Sequence, residues 1–84
     1  MSPKQIKRTQ TGVRLESSLL KVLKALAEYL DMSLGDLLEG IVLHAFDGKT
    51  PFGDGTLEAI QRLKSVYGCD LDASHSHKMT EDSA

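Results

Sequence analysis

Two short stretches carry side chains whose types and spacing suit contacts with nucleic acid. In the first, RTQTGVRL at residues 8–15, every second residue faces the same side of a strand, so one face would carry Arg8, Gln10, Gly12 and Arg14. Arg and Gln side chains can form paired hydrogen bonds with base edges in the DNA major groove. The stretch is therefore a candidate base-reading element that uses Gln10 and Arg14, with Arg8 as a third candidate.

The second stretch is SLG, which opens a predicted helix and suits an anion. Free amides and the positive end of a helix dipole favour negative charge at a helix N-terminus. Ser33 supplies a hydroxyl there, Leu34 and Gly35 supply amides, and Gly35 has no side chain to obstruct a phosphate. We expect these three residues to bind a DNA phosphate. The alternative is that Ser33 only caps its helix.

Positive charge is concentrated at the beginning of the chain. Residues 1–14 contain four basic residues and no acidic one, whereas the remaining 70 residues contain 6 basic and 12 acidic residues. The net charge of −2 thus conceals a basic arm on an acidic body. Lys4 and Lys7 are expected to attract phosphates. A basic arm that is merely solvated is the alternative.

The sequence offers little for catalysis or for a cofactor. His75 and His77 lie in a polar tail without the four ligands that a structural zinc needs, so no metal is expected. Cys69 has no neighbouring base to activate it. We expect no enzymatic activity. A single cysteine indicates a reducing compartment, and no apolar run reaches the roughly 20 residues that cross a bilayer, which together favour a cytoplasmic location.

The candidate base readers need a strand, and that strand needs a partner. The alternation in residues 8–15 has a period of two, which predicts a strand with one buried face. A lone strand leaves its backbone N–H and C=O groups unpaired. The simplest partner is the same strand in a second copy, joined as an antiparallel ribbon across a two-fold axis.

Helical periodicity follows this strand. Leu19, Leu23, Leu26 and Leu30 share one helix face, and a second apolar pattern runs from Leu34 to Phe46. The predicted divisions are a basic arm at 1–7, a domain at 8–47, a linker at 48–55, a short third helix at 56–68 and a disordered tail at 69–84.

The stretch QTGVRLESSLLKVLKALAEYLDMSLGDLL resembles the ribbon-helix-helix DNA-binding domain of the Arc, CopG and methionine repressors. The resemblance covers roughly residues 6–47 and implies a mainly α fold with one strand per chain, paired across an intertwined homodimer. It also implies that the ribbon enters the major groove and that the second helix holds a phosphate at its N-terminus. Asp31 stands where the family often has Gly, and Gly12 replaces the middle base-reading residue.

Together these patterns predict a homodimer that binds double-stranded DNA sequence-specifically, as a transcriptional repressor or autoregulator. An antitoxin-like variant would bind a second protein through residues 48–84. The alternative is a dimeric protein-interaction module of the same fold that does not bind DNA. The predicted dimer core consists of Thr11, Val13, Leu15, Leu19, Leu23, Leu26, Leu37 and Ile41.

Overall fold

Three helices form the body of the protein. The computed structural model describes residues 3–82, with α1 at Ser17–Tyr29, α2 at Leu34–Phe46, α3 at Asp54–Tyr67 and one turn of 3-10 helix at Ala73–His75. The first two residues of the predicted basic arm and the last two of the predicted tail lie outside the described residues. Within residues 3–82, no helix is long and apolar enough to cross a membrane.

The strand predicted for residues 8–15 is absent, so the predicted ribbon-helix-helix fold is wrong. No residue between 3 and 82 belongs to a β-strand, and residues 3–15, the N-terminal segment, have no regular secondary structure. A strand needs a second edge to complete its hydrogen bonds, and no part of the described chain supplies one. Consequently Thr11 and Val13, expected to face the core, are exposed.

Side chains cap the first two helices. At α1, the Glu16 carboxylate accepts hydrogen bonds from the amides of Leu19 at 2.8 Å and Ser18 at 3.1 Å. The Ser18 hydroxyl and these amides stabilise the ionised form, which lowers the pKa of Glu16. At α2, the Ser33 hydroxyl accepts from the Asp36 amide at 3.1 Å, which confirms its capping role.

The turn between α1 and α2 uses a left-handed residue. Asp31 has a φ of 57°, a conformation that Asp adopts more readily than most residues. The Met32 amide then donates to the Ala27 carbonyl at 2.9 Å. Asp31 therefore makes this tight turn without a Gly.

The chain after α3, for which a disordered tail is predicted, lies against the body. Gly68 ends α3 with a φ of 66°, Cys69 is buried, and the Leu71 carbonyl accepts a hydrogen bond from the Lys64 ammonium at 2.6 Å. Leu71 and Met79 help to line an apolar cavity of about 400 Å³ with residues of α1 and α3. We call residues 69–82 the C-terminal segment.

A small cluster of side chains makes the core. Leu26 and Ala27 of α1 and Leu37 of α2 are buried against one another. α1 packs more extensively against α3 than against α2. The partly buried side chains around this cluster are Leu23, Leu30, Ile41, Phe52, Ile60 and Leu63.

Truncating the centre of this cluster is expected to destabilise the protein. Leu26 is only 2% exposed, so Leu26→Ala leaves a cavity and lowers the free energy of unfolding by about 2–5 kcal/mol. Urea denaturation followed by circular dichroism measures this change. The control is Val66→Ala on the exposed side of α3, expected to shift the midpoint little. Equal midpoints for the two variants would contradict the described core.

Candidate nucleic-acid interface

Several predicted contact residues line one open cleft. The cleft, about 820 Å³ in volume, lies between the N-terminal segment and the first turns of α2, and we call it the segment–α2 cleft. It brings predicted base readers and phosphate-binding residues of the two stretches together. Its lining consists of Lys7, Arg8, Thr9, Gln10, Thr11, Ser33, Gly35, Asp36 and Glu39.

The N-terminus of α2 forms one wall of this cleft. The amides of the first turn of a helix have no acceptor within the helix, so those of Leu34 and Gly35 remain available. Gly35 is exposed, and a Cβ added there would meet nothing within 4 Å, so packing within the chain leaves space beside it. The Ser33 hydroxyl already accepts the Asp36 amide, and its own proton remains able to donate.

An ion pair joins the N-terminal segment to α2. The Arg8 guanidinium donates from Nε to Oε2 of Glu39 at 3.0 Å and from Nη2 to Oε1 at 2.9 Å. This bidentate contact raises the pKa of Arg8 and lowers the pKa of Glu39, chiefly because each charged group accepts or donates a hydrogen bond to the other. One of the three predicted base readers thus has one edge of its guanidinium occupied by a carboxylate.

The other two predicted base readers lie in different surroundings. Gln10 is exposed in the cleft, and its side chain makes no hydrogen bond with residues 3–82. Arg14 is exposed outside the cleft, where its Nη2 contacts Glu81 of the C-terminal segment. The structure therefore does not bring Arg14 together with Gln10. Lys4 is also exposed and does not line the cleft. Leu34 is half-buried and lies between the lining residues Ser33 and Gly35.

Charges of both signs meet in the segment–α2 cleft. Asp36 and Glu39 of α2 face the basic residues Lys7 and Arg8. The sequence interpretation assigned neither acid to the predicted contact site, although Ser33, Asp36 and Glu39 are spaced by three and so share one side of the helix. That spacing is the signal that would have placed them beside the predicted phosphate site.

The predicted dimer core divides into two groups. Leu26 and Leu37 are buried within the chain, and Leu23 and Ile41 pack against them. The other four residues are exposed, and their burial by a second copy stays a prediction. They are Thr11, Val13, Leu15 and Leu19.

The two histidines of the C-terminal segment lie in and just after the 3-10 turn. The His75 ring nitrogen accepts the Asp72 amide at 3.0 Å, while Asp72 accepts the Ser74 amide at 2.9 Å. His75 thus helps to cap the 3-10 turn. His77 follows with a φ of 64°. Among residues 3–82, no group of three or more His, Cys, Asp or Glu side chains is arranged to hold a metal ion.

Comparison of the chain with protein-family models, with curated proteins and with solved structures gave no match.

Proposed function

We propose that this protein binds double-stranded DNA sequence-specifically as a homodimer and acts as a transcriptional repressor or autoregulator. The observation that carries the proposal is the segment–α2 cleft, where exposed Lys7 and Gln10 lie beside the free amides of a helix N-terminus. A phosphate on those amides would bring the neighbouring DNA groove within reach of the N-terminal segment. Phosphate contacts set the orientation, and base contacts supply the specificity.

The contacting groups have distinct roles in this proposal. Leu34 and Gly35 amides and the Ser33 hydroxyl bind one phosphate, while Lys4 and Lys7 contribute attraction that does not depend on sequence. Gln10 and Arg14 read base edges from the N-terminal segment, whose backbone belongs to no strand or helix. Arg14 must leave Glu81 to do so.

An exposed apolar face of α2 supports association of two copies. Val42, Leu43 and Phe46 are 43, 65 and 82% exposed, and their spacing by three and four makes them neighbours on the helix surface. A chain of 84 residues buries few of its own side chains. Burying this apolar face against a second copy would therefore stabilise the folded protein. A second copy that presents the same face forms an isologous contact.

Substitution of Phe46 tests the dimer. Association that stabilises the folded state gives an unfolding midpoint that rises with protein concentration. Phe46→Ser should yield a monomeric mass in analytical ultracentrifugation and a midpoint that no longer varies with concentration, because it removes apolar area from the proposed contact. Val66→Ser, at a similarly exposed position on α3, should leave the parent behaviour unchanged. A monomeric parent would contradict the proposal.

Two further substitutions separate base reading from phosphate attraction. A site is first obtained by selection from random duplexes, and affinities are then measured across a salt series. Arg14→Ala should reduce the preference for the selected site by about 1–3 kcal/mol per lost base contact. Lys4→Ala should weaken binding to all duplexes alike and make the salt dependence shallower. Unchanged preference in Arg14→Ala would exclude Arg14 as a base reader.

The contact between Arg14 and Glu81 predicts that the C-terminal segment competes with DNA. Glu81→Gln removes the charge that holds Arg14, and duplex affinity should rise by up to about fivefold, the range of an exposed ion pair. The matched control is Asp82→Asn, which removes an equal charge one residue away. Equal gains for the two variants would mean that only net charge matters and that Glu81 does not compete.

The ion pairs made by the N-terminal segment support a second candidate function. Both arginines of the N-terminal segment contact carboxylates, as expected if the protein is a dimeric protein-interaction module. A salt series on a generic duplex separates the two functions, because DNA binding through counterion release weakens steeply as salt rises. No binding even at low salt would favour the interaction module.

A further inference from the structure

The ion pair between Arg8 and Glu39 connects parts of the chain that are 31 residues apart. Both side chains remain partly exposed, at 66 and 44%, so the pair by itself adds little stability. Its geometry is nevertheless specific, because two N–H groups of the guanidinium donate to the two oxygens of one carboxylate, which fixes the side chains more closely than a single bond does. The pair therefore restricts where the N-terminal segment lies.

This restriction of the N-terminal segment matters because no helix or strand holds the segment in place. Residues 3–15 make no backbone–backbone hydrogen bond within residues 3–82. Ordering such a segment upon binding costs conformational entropy, and a contact that orders it beforehand reduces that cost. Lys7 and Gln10 lie within two residues of Arg8 and line the same cleft, so the pair holds both beside the N-terminus of α2.

We propose that Glu39 is a positioning residue, which holds Arg8 so that Lys7 and Gln10 are placed for the DNA bound at α2. The inference rests on the proposed function and assigns a different role to Arg8. Arg8 was predicted to read bases. In this proposal it holds the N-terminal segment in position, and Gln10 and Arg14 read the bases. Because the pair is electrically neutral, it releases few counterions from DNA, so its loss should not alter the salt dependence of binding.

The opposite effect is also physically possible and is distinguishable. Glu39 is an acid in a cleft proposed to bind a polyanion, so an Arg8 that contacts DNA would be hindered by it. Removing Glu39 would then strengthen binding. The two cases therefore predict changes of opposite sign for the same substitution.

The test measures duplex affinity across a salt series for Arg8→Ala, Glu39→Ala, the double variant and the exchanged pair Arg8→Glu with Glu39→Arg. We expect each single substitution to weaken binding by up to about fivefold, because an exposed ion pair can order the segment by no more than its own free energy. The double variant should be no weaker than either single one, and the exchanged pair should recover most of the affinity. The slope of affinity against salt should stay at the parent value in the double variant and in the exchanged pair, because neither changes the net charge of the cleft.

Two controls and a second measurement complete the design. Glu58→Ala removes an exposed acid on α3 outside the cleft and should not weaken binding. Lys7→Ala should make the salt slope shallower, as expected for a phosphate contact. In the free protein, NMR relaxation of the residue 7–10 amides should show more fast motion in Glu39→Ala than in the parent.

Each outcome bears on one proposal or on both. If the parent binds no duplex at low salt, the proposed function fails, and this inference fails with it. If the parent binds but Glu39→Ala binds equally well or more tightly, the positioning role alone is wrong. Likewise, a shallower salt slope in the double variant, which removes no net charge, would show that Arg8 itself contacts DNA. Unchanged amide motion in Glu39→Ala would also overturn the positioning role.

Discussion

Backbone hydrogen bonding in residues 3–15 constrains the rest of this structure. These residues have no backbone partner within the described chain, so water must satisfy their N–H and C=O groups. Such a segment lies on the surface and takes its position from side chains. The contacts of Arg8 with Glu39 and of Arg14 with Glu81 serve this purpose. The basic end of the protein is thus tied to its acidic body through two exposed ion pairs.

The helices were predictable because their signals are local. Apolar side chains spaced by three and four defined α1 and α2, Ser33 marked the start of α2, and Gly68 ended α3. The predicted start of α3 at Thr56 was two residues late, since the helix begins at Asp54 behind Gly53. Helix ends depend on caps that are only a few residues long, so errors of this size are expected.

The wrong predictions concern structure that depends on distant partners. Alternation in residues 8–15 indicates a strand only if another edge completes its hydrogen bonds, and sequence periodicity contains no information about that edge. In the same way, Leu71 and Met79 lie in a polar stretch without helical or strand spacing, so nothing local indicated that they line a cavity with α1. The spacing of Glu39 from Ser33 could have placed it near the helix N-terminus, but its contact with Arg8 was not predictable because the two residues are 31 positions apart.

Under the proposed function, the acids beside the basic segment affect how selectively the protein binds DNA. Unpaired cations bind every duplex, which raises non-specific affinity along with specific affinity. An arginine held by a carboxylate adds little to that background, and it contributes to binding only where a base contact compensates for the lost ion pair. Biological discrimination depends on the ratio of specific to non-specific affinity. Under the proposed function, Glu81 would improve this ratio at Arg14 while weakening binding overall, and two copies in a dimer would recover affinity by engaging two half-sites together.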